Sequence, residues 1–337
     1  MGGYGSDYSY STSDAVVKKT ARQYNVDQGR EYSQTTAVMP PPRGRVLVTK
    51  AKLPVVVSID VTGSMRELPA LIFEKLCILY NEAVYFLPDE LKNSFEISFV
   101  AMGDAYSDKH PLQVTDFDKG RNLDQNIRSL YAEGGGGGQY RESYELVAYF
   151  YSACCEMPNA MKTVRPLFFF IGDEGYYSKV NRFLIRELIG NEPTTDLIAL
   201  DVFEELKKRF DVYMLRVPYK AMGEVDKEIH ASWEEALGKD RVIVMQTPRR
   251  VVDIILGLIA ASVERFDAYK ERIEVRQTPE QVDQVFSSLD GLRLRERAYV
   301  YKLQALKCPS CGASIQEMPS PDHPVKCQYC QVLLVRM

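Results

Sequence analysis

Residues 55–65 read Val55-Val56-Val57-Ser58-Ile59-Asp60-Val61-Thr62-Gly63-Ser64-Met65. The β-branched run from Val55 to Ile59 lacks polar alternation, so it predicts a strand buried on both faces. An acid ends the run at Asp60, and hydroxyl side chains follow at Thr62 and Ser64. Acid and hydroxyls at alternate positions can aim three oxygens at one point above the strand end. Hard cations such as Mg2+ take oxygen ligands in near-octahedral array and keep positions for water or another ligand. The same residues can instead cap the helix that follows, and this turn alone does not choose between the two readings.

Working outward, strands and helices alternate. Leu68 to Phe86 carries apolar residues at helical spacing, and Glu96 to Met102 reads as a strand ending at Gly103-Asp104. Leu112 to Phe117 is a short alternating segment, Asn122 to Tyr131 a helix, and Ser143 to Cys155 a strongly apolar helix. Leu167 to Ile171 is a second buried strand, ending at Gly172-Asp173. Segments 179–189 and 201–210 read as helices, 212–217 and 242–245 as strands, and 251–266 as a long helix. This alternation predicts an α/β domain with a Rossmann-like, doubly wound, mostly parallel sheet. Ligands of such sheets bind at the carboxyl ends of the strands.

Two features converge on that edge. Asp173 ends the Leu167 strand as Asp60 ends the first. A run of five glycines, Gly134 to Gly138, leads through Gln139-Tyr140-Arg141-Glu142-Ser143 into a helix. Glycines there let the backbone approach a small site closely, and a floppy linker would not sit between two core elements. No Gly-Lys-Ser/Thr closes the run, so it is not a phosphate-binding loop.

In this order the motifs resemble the von Willebrand factor A (VWA) family, and more narrowly its bacterial and phage-encoded members. The resemblance rests on Ser58 to Met65, Gly134 to Leu146 and Gly172 to Glu174, and covers roughly residues 45–265. It implies a metal-ion-dependent adhesion site with Asp60, Thr62 and Ser64 as its first element and Asp173 as its last. The second element departs from the family, whose usual Thr is missing. Either Ser143 or Glu142 can stand there, and the offset from the following helix favours Ser143. Asp104 faces the same edge, either near the metal through water or as a turn cap. The resemblance further implies adhesion rather than catalysis: Mg2+ or Mn2+ keeps an open position that a partner's carboxylate fills. Two acids about cancel a divalent charge, so the ion stays electrophilic toward one more acid.

The C-terminus carries Cys308-Pro309-Ser310-Cys311-Gly312 and Cys327-Gln328-Tyr329-Cys330. Two CxxC pairs at this spacing predict four thiolates around a structural Zn2+, and the segment resembles the zinc ribbons at the ends of many bacterial VWA proteins. So short a segment needs such a staple in place of a core. Gly312 suits the left-handed turn after the second thiolate. His323 has no vacancy to fill and reads as a loop residue. The remaining cysteines, Cys77, Cys154 and Cys155, give an odd total, which fits a reducing compartment.

The chain has 337 residues, 45% hydrophobic and 26% charged, with a net charge of -4. That is a globular balance, without the excess of positive charge expected of a wholly basic nucleic-acid binder. No apolar run approaches the roughly 20 residues of a membrane span, and Met1 to Thr12 lacks the pattern of a signal peptide; the expectation is a cytoplasmic protein. The domain reading is a flexible tail at 1–45, the VWA domain at 46–268, a helical linker at 269–304 and a zinc ribbon at 305–337. Within the linker, Leu292 to Leu306 reads as helix. No hydrolase or Walker signature accompanies the three histidines His110, His230 and His323. Trp233 reads as a packing residue on a helix near the sheet edge, with an interface anchor as the alternative. The expected function is a non-enzymatic, metal-dependent protein-interaction module. Its partner presents an acid, and by analogy with other bacterial VWA proteins that partner is a MoxR-type AAA+ ATPase. The alternative is a nucleic-acid-associated protein with the ribbon as reader.

Overall fold

The computed structural model describes residues 39–65, 68–76, 78–134, 140–160, 164–219 and 223–290. From the C-terminal segment it describes 298–301, 307–308, 310–311, 313, 315, 319 and 324–336. Residues 1–38 of the tail expected at 1–45, and most of the glycine run, lie outside these residues. The chain divides into two compact units, between Asp290 and Gly291.

The first unit is built on a six-stranded sheet. Its strands are β1 (Leu53–Asp60), β2 (Phe95–Met102), β3 (Leu112–Val114), β4 (Leu167–Gly172), β5 (Asp211–Arg216) and β6 (Val242–Val244), in the spatial order β6-β5-β4-β1-β2-β3. All neighbours are parallel except β3, which runs antiparallel to β2 at the edge. β1 is buried over all eight residues and β4 over all six, as their unbroken apolar runs require. β1 pairs with β2 from Leu53↔Phe95 to Asp60↔Met102 and with β4 from Val55↔Leu167 to Ile59↔Ile171. The chain moves outward from β1 to β3, then returns to β1's other side as β4. The strand order therefore reverses between β1 and β4, and the crevice at their carboxyl ends is the natural ligand site of this architecture.

On one face of the sheet Val56, Val100, Phe168, Phe170 and Met214 form a core with three helices, α4 (Tyr144–Ala153), α5 (Ala199–Arg209) and α6 (Gly223–Leu237). Of the other helices, α1 (Leu68–Leu76), α2 (Leu79–Phe86) and α7 (Val251–Ser262) pack together, and Tyr80 of α2 stacks on Phe95 of β2. α3 (Asn122–Arg128) precedes the glycine run. The single helix expected over 68–86 is thus two. Of the helix expected over 179–189, Arg182 to Ile189 is helical, while Lys179–Val180 is a strand paired with Leu197–Ile198.

Two more helices, α8 (Phe266–Arg276) and α9 (Pro279–Leu289), belong to this unit, although residues 269–290 were expected in a linker. Tyr269, Ile273, Val285 and Leu289 are buried. A Cβ on Gly257 of α7 would lie 2.8 Å from Leu289 Cδ1 and 3.1 Å from Tyr269 Cε1, so the missing side chain is what lets both helices approach. The capping box read at Thr278 and Gln281 starts α9: Thr278 Oγ1 accepts from Gln281 N, and Gln281 Oε1 accepts from Thr278 N.

In the second unit Ala298–Tyr301 is a strand (β7), parallel to Leu333–Arg336 (β9), and Val325–Lys326 (β8) runs antiparallel to β9. This corrects the expected helix at 298–301, while 292–297 and 302–306 lie outside the described residues. Tyr299, Val300 and Tyr301 are strong strand formers, and β9 supplies a pairing edge far along the chain, from Ala298↔Leu333 to Tyr301↔Arg336. Among the described residues no helix is long and apolar enough to cross a membrane.

Candidate metal centres

Asp60 sits at the carboxyl end of β1, fully buried. Its Oδ1 accepts from Thr62 N at 2.9 Å and from Thr62 Oγ1 at 2.5 Å. The Thr62 hydroxyl lies 3.1 Å from Ser64 Oγ, which donates to Asp173 Oδ1 at 3.0 Å. A turn of 3-10 helix, Gly63–Met65, sets this geometry. Four of the five residues read from the sequence as one site, all but Ser143, thus form one hydrogen-bonded chain across the β1–β4 crevice.

Three tyrosines outside the sequence reading complete the surroundings. Tyr144 OH donates to Asp60 Oδ2 at 3.0 Å, Tyr219 OH to Glu174 Oε1 at 2.6 Å, and Tyr177 OH to Asp104 Oδ1 at 3.1 Å. Gly172 makes the first possible: a Cβ there would lie 1.8 Å from Tyr144 OH and 3.0 Å from Asp60 Cβ. Trp233 is fully buried among Tyr144, Phe170, Tyr176 and Phe203, and its Nε1 donates to Glu174 O. It is a core residue that also fixes the backbone beside Asp173, and no part of it offers an exposed anchor.

The loops bring Asp104, Glu142 and Ser143 to the same edge but give them different tasks. Asp104 caps its own turn, accepting from Tyr106 N and Ser107 Oγ. The Ser143 hydroxyl accepts from Ala105 N at 2.9 Å, so it is committed to the loop after β2. Glu142 is buried, and its Oε2 has no hydrogen-bond partner. Gly134 N–H donates to Val61 O on one side of the glycine run. On the other, Tyr140 adopts a left-handed φ of 57° and its carbonyl accepts from Gly175 N.

The electrostatics are one-sided. Burial, then the charge of Asp173, pushes Asp60 well above the usual carboxylate range. Burial and the charge of Asp60 push Glu142 up to about 12. Burial and Glu174 raise Asp173 to about 6, and burial raises Glu145 on α4. None of the ion pairs among the described residues reaches Asp60, Glu142, Asp173 or Glu174. Buried acids of one sign ordinarily come with a counter-charge. This donor set, carboxylate and hydroxyl oxygens with one carboxylate oxygen unpartnered, fits a hard cation.

The second centre is the four-cysteine cluster. The ligand sulfurs of Cys308, Cys311, Cys327 and Cys330 all lie within 4.8 Å of one another. Cys308 Sγ is 3.6 Å from Cys330 Sγ, and Cys311 Sγ is 3.7 Å from Cys327 Sγ. These distances are far beyond a disulfide bond and close to the sulfur–sulfur edge of about 3.8 Å that tetrahedral Zn–S bonds give. The N–H groups of Cys330 and Tyr329 hold the Cys327 thiol down to about 6. Gln331 turns the chain after Cys330 at φ 60°, the place Gly312 holds after Cys311. Gly312 and His323 lie outside the described residues. Cys308, Ile315, Cys327 and Leu334 form the small core.

The fold and site together define a doubly wound α/β domain with an acid- and hydroxyl-lined crevice at its switch point, followed by a four-cysteine unit. No protein-family model matches the chain, and no curated protein matches it. Among solved structures it is similar to the pilus adhesin SpaC from Lactobacillus rhamnosus GG, at 11% identity and a TM-score of 0.47, over 66% of this chain and 32% of that one. It is also similar to proximal thread matrix protein 1 (PTMP1) from the mussel byssus, at 10% identity and a TM-score of 0.41, over 64% of this chain and 48% of that one. A further structure of PTMP1 has a zinc-occupied MIDAS motif, at 11% identity and a TM-score of 0.40, over 63% of this chain and 48% of that one. The chain thus spans a third to a half of the length of these proteins.

Proposed function

We propose that the chain is a metal-dependent protein-interaction module of the VWA type. Asp60, Thr62, Ser64 and Asp173 hold Mg2+ or Mn2+, and Glu142 replaces Ser143 as the oxygen donor from the second loop. When bound, the cation supplies an electrophilic position that a carboxylate on a partner protein fills. The observation that carries this reading is the hydrogen-bonded chain Asp60–Thr62–Ser64–Asp173, set among buried acids that no ion pair reaches among the described residues. Thr62 and Ser64 act as neutral donors and Asp60 and Asp173 as the charged ones, while Tyr144 and Gly172 fix the direction of Asp60. The task is binding rather than catalysis: the phenols beside the cluster are bonded to its acids, which suits a rigid donor set better than a proton-transfer site.

The four cysteines hold Zn2+ as a structural ion, forming a ribbon. Free and metal-directed cysteines suit a reducing compartment, so the cytoplasm is the proposed location. An AAA+ ATPase of the MoxR type is the proposed partner, by analogy alone. Calorimetry with Mn2+ tests the core of the reading: wild type should bind one ion with modest affinity and Asp60→Ala none. Equal binding by both proteins would overturn it.

A further inference from the structure

Beside the crevice lies a groove of about 430 Å³ that the cation site does not use. One end is formed by Tyr140 and Arg141, next in sequence to Glu142, and by Gly175 and Tyr176, just past Glu174. These two short segments pair in parallel, Arg141↔Gly175 and Glu142↔Tyr176, so the groove opens one or two residues from the acids of the site. At about 3.3 Å per extended residue that is less than roughly 10 Å.

The groove has an apolar floor and an acidic wall. Val225 and Ile229 of α6 line it together with Ile198 and Leu200. Ile198 is 56% exposed and Tyr140 38%, so two of the large apolar side chains left in solvent gather here. Glu228 and Glu235, two turns apart on the same face of α6, line the wall and are exposed. Neighbouring acids of α6 have partners: Glu224 bonds Lys227, and Glu234 faces His230. Glu228 and Glu235 have none among the described residues.

We propose that this groove is the second half of a bipartite recognition site for an extended segment of the partner protein. The proposal rests on the adhesion reading above and adds its sequence requirement. The segment places an Asp or Glu at the cation, and within about three residues it lays an apolar side chain between Ile198 and Ile229. A Lys or Arg then meets Glu228 and Glu235. Charge selects this occupant. A wholly acidic segment would be repelled by α6, and a wholly basic one would find nothing to reach the cation.

The test is selection from a phage-displayed library of random heptapeptides on the full chain in Mn2+. Three targets are compared: wild type, the double variant E228Q/E235Q, and Asp60→Ala. Wild type should enrich peptides that combine an acid, an apolar residue and a Lys or Arg. The double variant should lose the basic residue and keep the acid, and the best wild-type peptide, resynthesised with a fluorescent label, should bind it about tenfold more weakly by anisotropy. Its substitutions lie on an exposed helix face, so folding is not at stake. Enrichment of acids alone on wild type, or equal affinity for wild type and the double variant, would overturn the groove and leave the adhesion reading intact. Apolar and basic enrichment that persists in chelator and on Asp60→Ala would uphold the groove and overturn the adhesion reading. Failure to enrich any peptide on wild type would overturn the bipartite site.

Discussion

Glu142 and Ser143 are adjacent in sequence and opposite in circumstance. One carries a buried carboxylate oxygen without a partner, the other a hydroxyl already bonded to Ala105 N. Glu142→Gln keeps the shape, removes the charge, and should weaken Mn2+ binding about tenfold. Ser143→Ala should leave Mn2+ affinity within about twofold and cost about 1–2 kcal/mol of stability, because the Ala105 N–H loses its acceptor. Calorimetry and denaturant unfolding read the two effects, and the reverse pattern would restore Ser143 to the donor set. Gly172 gives a second test. Gly172→Ala drives a methyl into Tyr144 OH and should cost about 1–3 kcal/mol. Adding Tyr144→Phe should recover part of that loss, since Tyr144 Cζ and Asp60 Cβ still lie 3.0 Å from the methyl, and additive losses in a double-mutant cycle would refute the contact. Asp60, Thr62, Ser64 and Asp173 were legible in the sequence because each stands at or just after the end of a buried strand, where an acid or hydroxyl has no packing role. The contacts of Tyr144, Glu174 and Tyr219 were not, since these residues meet the site only through the pairing of β4 with β1 and β5 and the placement of α4.

The strands and helices of the first unit were legible because buried parallel strands read as unbroken β-branched and apolar runs. Besides the break in the helix over 68–86 and the strand at 179–180, two stretches were misread for identifiable reasons. The charged pattern Arg293, Arg295, Glu296, Arg297 imitates a solvated helix face, whereas the strand at 298–301 is stabilised by β9, which no local pattern reveals. Helices α8 and α9 carry enough charge to pass for a linker, and their docking depends on a gap at Gly257 in a different helix. That gap gives a test whose sign decides the matter. Alanine is the better helix former by about 1 kcal/mol, so Gly257→Ala would stabilise a chain in which α8 and α9 merely hung from α7. With Leu289 and Tyr269 in the way, the substitution should destabilise by about 1–3 kcal/mol, as read by denaturant midpoint at unchanged slope.

At the scale of the whole molecule, the two centres differ in ligand softness, and that difference should let each be addressed without the other. The crevice offers carboxylates and hydroxyls, and the C-terminal unit four thiolates. Hard ions should therefore fill the first and Zn2+ the second. The dependence of folding on each ion should differ as well. The first unit has cores on its sheet and needs no ion to fold, so Mn2+ should raise its stability only by mass action, about 2.7 kcal/mol at a hundred times the dissociation constant. Asp60→Ala should lose that increment and otherwise change the thermal transition little: the hydrogen bonds from Thr62 and Tyr144 are lost, while a carboxylate buried beside Asp173 is relieved. Among its described residues the second unit buries a small cluster around Cys308, Ile315, Cys327 and Leu334, too little to offset the ordering of its chain without the ion. Cys311→Ser should thus bring bound zinc well below one per chain and abolish the structure of residues 291–337, while the Mn2+-dependent transition of the first unit persists. Metal analysis with scanning calorimetry checks both halves. Full zinc in Cys311→Ser would remove the four-thiolate assignment, and loss of the Mn2+ shift in that same variant would mean that the crevice depends on the four-cysteine unit and is no site of its own.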